Sequence, residues 1–141
     1  MSEHAVRLRA RWDLTIPDRP DDPAVKVDLP LDWGRIAEAT GREIGRVRLT
    51  RPFGRPLQRP GDPAPPTARL VMENSDGLQR VEFNGAPIPW RDAASGVRVA
   101  DLPDLEARNV VTLDVDAPTG TRGVWGSVAV VFDATDPGSG R

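Results

Sequence analysis

Apolar and polar residues alternate along most of this chain, a period that suits strands and little else. In RVRLTRPF (46–53), Val47 and Leu49 are flanked by Arg46, Arg48 and Thr50. Successive strand side chains point to opposite sides of a sheet, so such a segment offers one face to a core and one to water. AVRLRARW repeats the pattern, with Val6, Leu8, Ala10 and Trp12 against Arg7, Arg9 and Arg11. TARLVMEN does so with Leu70 and Met72, and LQRVEFN with Val81 and Phe83. SGVRVADL, NVVTLDVDA and GVWGSVAVVF complete the set. The last differs, with Val124, Val128, Val130 and Phe132 on one face and Trp125, Ala129 and Val131 on the other. A strand apolar on both faces is predicted to be central and covered on both sides.

Turn residues separate the later segments: Ser75-Asp76-Gly77, Asn84-Gly85 and Pro118-Thr119-Gly120. One segment, LPLDWGRIAEATG, carries helical signals instead. Asp32 is placed as an N-cap and Gly41 as a stop, with Leu31 and Ile36 positioned as a hydrophobic staple. The expected helix covers 32–40 and lies over one end of a sheet. Many short strands with little helix predict an all-β, antiparallel β-sandwich, with a closed barrel as the alternative. A single domain over 1–132 is expected, with a mobile start at 1–4 and a flexible tail at 133–141.

Composition narrows the function classes. A net charge of −2 argues against general binding of nucleic acid or anionic membranes, which needs a basic surface. The absence of cysteine excludes disulfides, thiolate metal sites and cysteine nucleophiles. His4 is the only histidine, which argues against a Ser-His-Asp triad or a multi-histidine zinc site within the chain. The opening MSEHAVRLRARW has no apolar signal core and no segment reaches membrane-spanning length, so a cytoplasmic location is expected.

The order of signals from Val27 onward resembles the galactose-binding-domain-like jelly roll. It is most similar to the N-terminal sugar-binding domain of family 2 glycoside hydrolases, the β-galactosidase and β-glucuronidase group. The residues that carry the likeness are Trp33 in PLDW, Arg51 with Phe53, Arg69 with Glu73, Asn84-Gly85, and Asn109 with Leu113 and Val115. It spans roughly 25–132. In that family the catalytic carboxylates lie on a separate barrel domain. The resemblance therefore implies a jelly roll that is a non-catalytic binding module, not an enzyme, with carbohydrate as its small-molecule class. The alternative is a structural or assembly subunit that meets a protein partner through a sheet face or loop end. No oligomeric state follows from the sequence.

The chain has four tryptophans and no tyrosine. Trp12 and Trp33 are expected in the core, and Trp125 beneath a loop. Trp90 is the candidate ligand platform. It follows the Asn84-Gly85 turn, Pro87 and Pro89, and precedes Arg91 and Asp92. The candidate binding set is thus Trp90, Arg91, Asp92 and Asn84, against the alternative that Trp90 plugs an end of the sandwich. Arg46, Arg48, Arg69, Arg80 and Arg98 fall on predicted outward positions, as do Glu73, Glu82 and Asp114. Cross-strand charge pairing is favoured there over an anion- or uronate-binding face. Asp18, Asp21 and Asp22 form one acidic group, and Glu73, Asn74 and Asp76 another. Calcium would need more ligands at a dedicated spacing, so no cofactor is assigned.

GRPLQRPGDPAPP (54–66) is expected to be an exposed connection, since prolines are excluded from central strands. Replacing it with a short Gly/Ser linker is expected to leave stability nearly unchanged, because closure entropy depends weakly on loop length. Loss of cooperative urea unfolding in the shortened protein would show that the segment belongs to the core.

Overall fold

Alternation becomes register once the strands pair. The computed structural model describes residues 2–18, 21, 23–35, 45–54, 67–94, 96–103, 105–116 and 124–134. They form β1 (Ser2–Arg7), β2 (Trp12–Thr15), β3 (Val25–Val27), β4 (Leu31–Asp32), β5 (Arg46–Gly54), β6 (Thr67–Glu73) and β7 (Leu78–Phe83). These are followed by β8 (Ala86–Ile88), β9 (Arg91–Ala94), β10 (Val97–Leu102), β11 (Arg108–Asp116), β12 (Val124–Trp125) and β13 (Ser127–Ala134). One sheet runs β1-β13-β6-β10-β9 and the other β3-β2-β5-β11-β7-β8, with β12-β4 as a small third ladder. Every pairing is antiparallel. Two sheets with separate edges make this an antiparallel jelly-roll β-sandwich rather than a closed barrel.

The core lies between the two sheets. From the six-stranded sheet come Trp12, Leu14, Val47, Leu49, Val81, Phe83, Val111, Leu113 and Val115, all buried. From the five-stranded sheet come Ala68, Leu70, Met72, Ala100, Leu102, Val128, Val130 and Phe132. The outer face of the six-stranded sheet is charged and paired. Arg48 Nε donates to Asp114 Oδ1 at 2.8 Å, Arg80 meets Glu82 at 3.2 Å, and Arg46 stands 3.7 Å from Asp116. The Asp114 carboxylate raises the Arg48 pKa above its usual value. Val99 and Val131 are buried yet stand outside the inter-sheet cluster, so the five-stranded sheet is partly covered on its outer side as well.

Two predicted strands are broken. AVRLRARW is not one strand, because the chain changes sheets within it. β1 ends at Arg7, and residues 8–11 cross to β2 in the opposite sheet. Leu8 is 1% exposed and Trp12 fully buried, so the alternation persists across the crossing. The crossing is held by hydrogen bonds from Trp12 Nε1 to the Leu8 carbonyl (2.7 Å), Arg51 Nε to the Ala10 carbonyl (2.7 Å) and the Leu29 amide to the Arg9 carbonyl (2.6 Å). The GVWGSVAVVF run is divided at Gly126, whose φ of 79° turns Trp125 out of line with β13. β13 itself lies between β1 and β6, in an interior position.

Asp32 acts as an N-cap: its Oδ1 accepts from the Gly34 amide at 2.8 Å, ahead of a helical turn at 33–35. The rest of the predicted 32–40 helix lies outside the described residues, as do 55–66 and 135–141. Residues 2–4 pair in β1 opposite Ala134, Asp133 and Phe132.

Gly77 and Gly85 both adopt positive φ, at 86° and 85°, but differ in surroundings. A Cβ on Gly77 would lie 2.1 Å from the Asp116 carbonyl oxygen, while one on Gly85 would meet nothing within 4 Å. Gly85→Ala is expected to cost about 1–2 kcal/mol, the left-handed penalty alone. Gly77→Ala should cost more than ~3 kcal/mol, because backbone must also move. Equal losses in urea titrations would contradict this account.

Candidate functional site

Asn84 and Gly85 take φ values of 51° and 85°, the left-handed pair that a two-residue hairpin needs between β7 and β8. The Asn84 side chain is engaged structurally. Its Oδ1 accepts from the Val110 amide at 2.7 Å, and its Nδ2 donates to Asn109 Oδ1 at 3.2 Å. Asn109 is fully buried, accepting from the Glu106 amide and donating to the Glu106 carbonyl, both at 2.9 Å. Two asparagines thus fasten the hairpin to β11 and the loop before it.

After Ile88 the chain leaves β8, at one edge of the six-stranded sheet, and enters β9, at one edge of the five-stranded sheet. Pro89 and Trp90 make that crossing. Trp90 is half-buried and packs against the core cluster, leaving part of the indole in solvent. Arg91 pairs with Asp101 at 2.7 Å on the outer face of β10, whereas Asp92 stands 3.5 Å from Arg98 on the inner face. The structure therefore keeps Trp90, Arg91 and Asp92 contiguous but sends the two charged side chains to opposite faces. Asn84 is separated from them by the length of β8.

Asp92 leads to a site that the alternation alone does not reveal. Register places Val128, Met72, Arg98 and Asp92 in one inward-facing row across β13, β6, β10 and β9. Val128 and Met72 are core, but at β10 and β9 the row emerges from between the sheets and becomes charged. Arg98, expected to face outward, instead lies in this row, and its Nη1 donates to the Ser75 carbonyl at 2.7 Å. Ser75, Asp76, Asp92, Ala94, Gly96, Val97 and Arg98 line an open pocket of about 310 Å³.

The 74–77 turn that forms one wall is fixed from several directions. The Asn74 amide donates to the Gly96 carbonyl (3.1 Å) and the Gly126 amide to the Asn74 carbonyl (2.9 Å). Trp125 Nε1 donates to the Asp76 carbonyl at 2.7 Å, and the Trp125 ring lies 5.9 Å from that of Trp33. Ser75 is 4% exposed, and its Oγ has no hydrogen-bond partner among the described residues. In the sequence Ser75 reads only as a turn residue. Asp76 stands near Glu73 and Asn74 in the sequence, and no group of three or more metal-ligating side chains is found among the described residues.

Solved structures place this fold inside much larger sugar-processing enzymes. A β-galacturonidase from Eisenbergiella tayi, bound to galacturonate, matches with a TM-score of 0.67 and 15% identity over 93% of this chain and 24% of that one. A β-D-glucuronidase from Dictyoglomus thermophilum matches at 0.68 and 12% identity, over 95% of this chain and 28% of that one. A β-glucuronidase from Bifidobacterium dentium, complexed with coumarin-3-O-glucuronide, matches at 0.67 and 16%, over 96% and 30%. The chain thus spans less than a third of each. At these identities the likeness establishes the fold: the chain is a jelly roll of the kind found in the glucuronidase and galacturonidase structures, as its motif order implied. No protein-family model matches the sequence, and no curated protein matches it. No helix among the described residues is long and apolar enough to cross a membrane.

Two substitutions separate architecture from surface. Asn109→Ala is expected to cost about 2 kcal/mol, since it strands polar partners on both the hairpin and the loop. Trp90→Ala should cost a similar ~2 kcal/mol, below the ~3–5 kcal/mol of a fully buried aromatic. A Trp90→Ala protein that melts with the parent would show that the indole is not part of the packing.

Proposed function

We propose that this chain is a non-catalytic carbohydrate-binding module whose ligand enters at the β9–β10 corner. The observation that carries the reading is the pocket lined by Ser75, Asp76, Asp92 and Arg98, with the partly exposed Trp90 two residues before Asp92 in the chain. Carboxylates accept from sugar hydroxyls, a guanidinium donates to them, and an aromatic face packs against the apolar side of a pyranose. The turn and hairpin that present these groups are braced by backbone hydrogen bonds, so little ordering is needed on binding.

The same pocket supports binding over hydrolysis. A glycosidase needs one carboxyl group kept protonated by an apolar surrounding. Asp76 and Asp92 are both exposed, the latter's side chain by 85%. The charged outer face of the six-stranded sheet supports the protein-partner alternative less well, because its arginines are engaged with acids of the same sheet.

A glycan array probed with the folded protein tests the reading. Retention of the parent on a defined set of glycans is expected, with Asp92→Ala losing it and no glycan being cleaved. A folded protein retained on no glycan would overturn the proposal and leave the assembly role as the better account.

A further inference from the structure

A sheet edge carries a row of unpaired backbone amides and carbonyls. Natural edges are usually blunted against a second chain by shortness, proline, a bulge or charge. Among the described residues, the two main sheets end in β1, β9, β3 and β8. β3 and β8 have three residues each, and β8 contains Pro87. β9 has four residues and a register shift against β10. β1 differs. It has six residues and no proline, and it pairs with β13 from Ser2 to Arg7 without a shift. Val6 on this edge is 39% exposed.

The hydrogen-bond phase of β1 limits what the edge can accept. The Leu8 amide donates to the Val128 carbonyl at 2.8 Å, one step beyond the pair of Arg7 and Ala129. Bonded pairs alternate along an antiparallel ladder. The backbone of Val6, His4 and Ser2 is therefore turned to β13, while that of Arg7, Ala5 and Glu3 points away from the sheet. A further strand must meet the latter three.

The segment Glu3-His4-Ala5-Val6-Arg7 is self-complementary about Ala5. A second β1, running antiparallel, would set Ala5 opposite Ala5 and each Glu3 opposite Arg7 of the other copy. About six backbone hydrogen bonds would close. Opposite charges directly across an antiparallel pair stabilise it, and like charges do the reverse. Arg7 is exposed and has no acidic partner among the described residues. Register sets Glu3 beside Asp133, a like charge. Arg7 of a second copy would supply Glu3 with the opposite charge and gain one itself.

We infer that β1 is a homodimerisation edge. Two copies pair their β1 strands about a two-fold axis at Ala5, joining the five-stranded sheets into one continuous sheet. The order β1-β13-β6-β10-β9 leaves the β9–β10 pocket of each copy at an outer end of that sheet. The inference is independent of what the pocket binds.

Sedimentation equilibrium of the full chain provides the test. A strand-edge contact is smaller than a standard interface, so a dimer with a Kd of about 10–100 μM is expected. Added salt should weaken it severalfold by screening the exposed ion pairs. Ala5→Pro removes an outward amide and no bond to β13, so it should abolish dimerisation while leaving the melting temperature of the dilute protein nearly unchanged. Glu3→Arg and Arg7→Glu should each weaken self-association by about tenfold or more, because like charges then face each other. An equimolar mixture of these two variants should regain the parent's affinity. A parent that stays monomeric throughout would overturn the inference and leave the edge to a strand of another protein. A dimer of unchanged affinity in Ala5→Pro would overturn it by placing the contact elsewhere. Charge variants that fail to associate when mixed would overturn the register about Ala5 and the inference with it.

Discussion

β11 is hydrogen-bonded along both of its edges, to β5 from Arg108 to Asp116 and to β7 from Val111 to Val115. Its inward residues Val111, Leu113 and Val115 are completely buried. A one-residue slip against either neighbour would exchange these for Thr112 and Asp114 and carry Arg48 or Arg80 into the core. Register is therefore enforced by the cost of burying charge as much as by the gain from burying apolar area. The pairing of Arg48 with Asp114 strengthens the same register from the solvent side. The rest of the sandwich is laid out from this strand, including where each edge falls.

The edges are where function becomes available. The chain changes sheets at 8–11 and again at Pro89-Trp90, and both crossings close a side of the sandwich with a tryptophan. Trp12 is completely enclosed and held by its indole hydrogen bond, while Trp90 is only partly buried. The difference follows from what surrounds each. Trp12 lies within β2, an interior strand between β3 and β5, whereas Trp90 lies between two edge strands.

Period two made the strands legible because burial acts on each residue independently of what pairs with it. The Asn84-Gly85 turn and the Asp32 cap were legible for a similar reason, since both are local conformational demands that few residue types satisfy. Sheet switching was not legible: Leu8 and Trp12 keep the alternation even though the chain passes from one sheet to the other between them. Alternation alone puts Arg98 on the outer face, because it fixes only which residues share a side, and Val97 and Val99 make the other side of β10 apolar too. The pocket was invisible for a deeper reason. Its residues come from the 74–77 turn and the β9–β10 hairpin, and only the pairing of β10 with β6 brings those together. The candidate set read from the sequence contributed Asp92 to that pocket. Asn84 lies outside it, fastened to β11.

The pairing of β1 with β13 bears on how the domain withstands mechanical load. Ser2 lies opposite Ala134, and the strands run antiparallel from that pair to Arg7 and Ala129. Tension applied to the chain beyond these two residues would pull the strands apart from one end. The load would fall on the terminal hydrogen bonds first and pass inward pair by pair, rather than being shared along the whole ladder as in shear. β1 is an edge strand, and Val6 is 39% exposed, so its removal disturbs little of the inter-sheet core. Under tension the domain would thus yield by peeling its first strand, while the β5–β11–β7 centre, in the other sheet, stays intact.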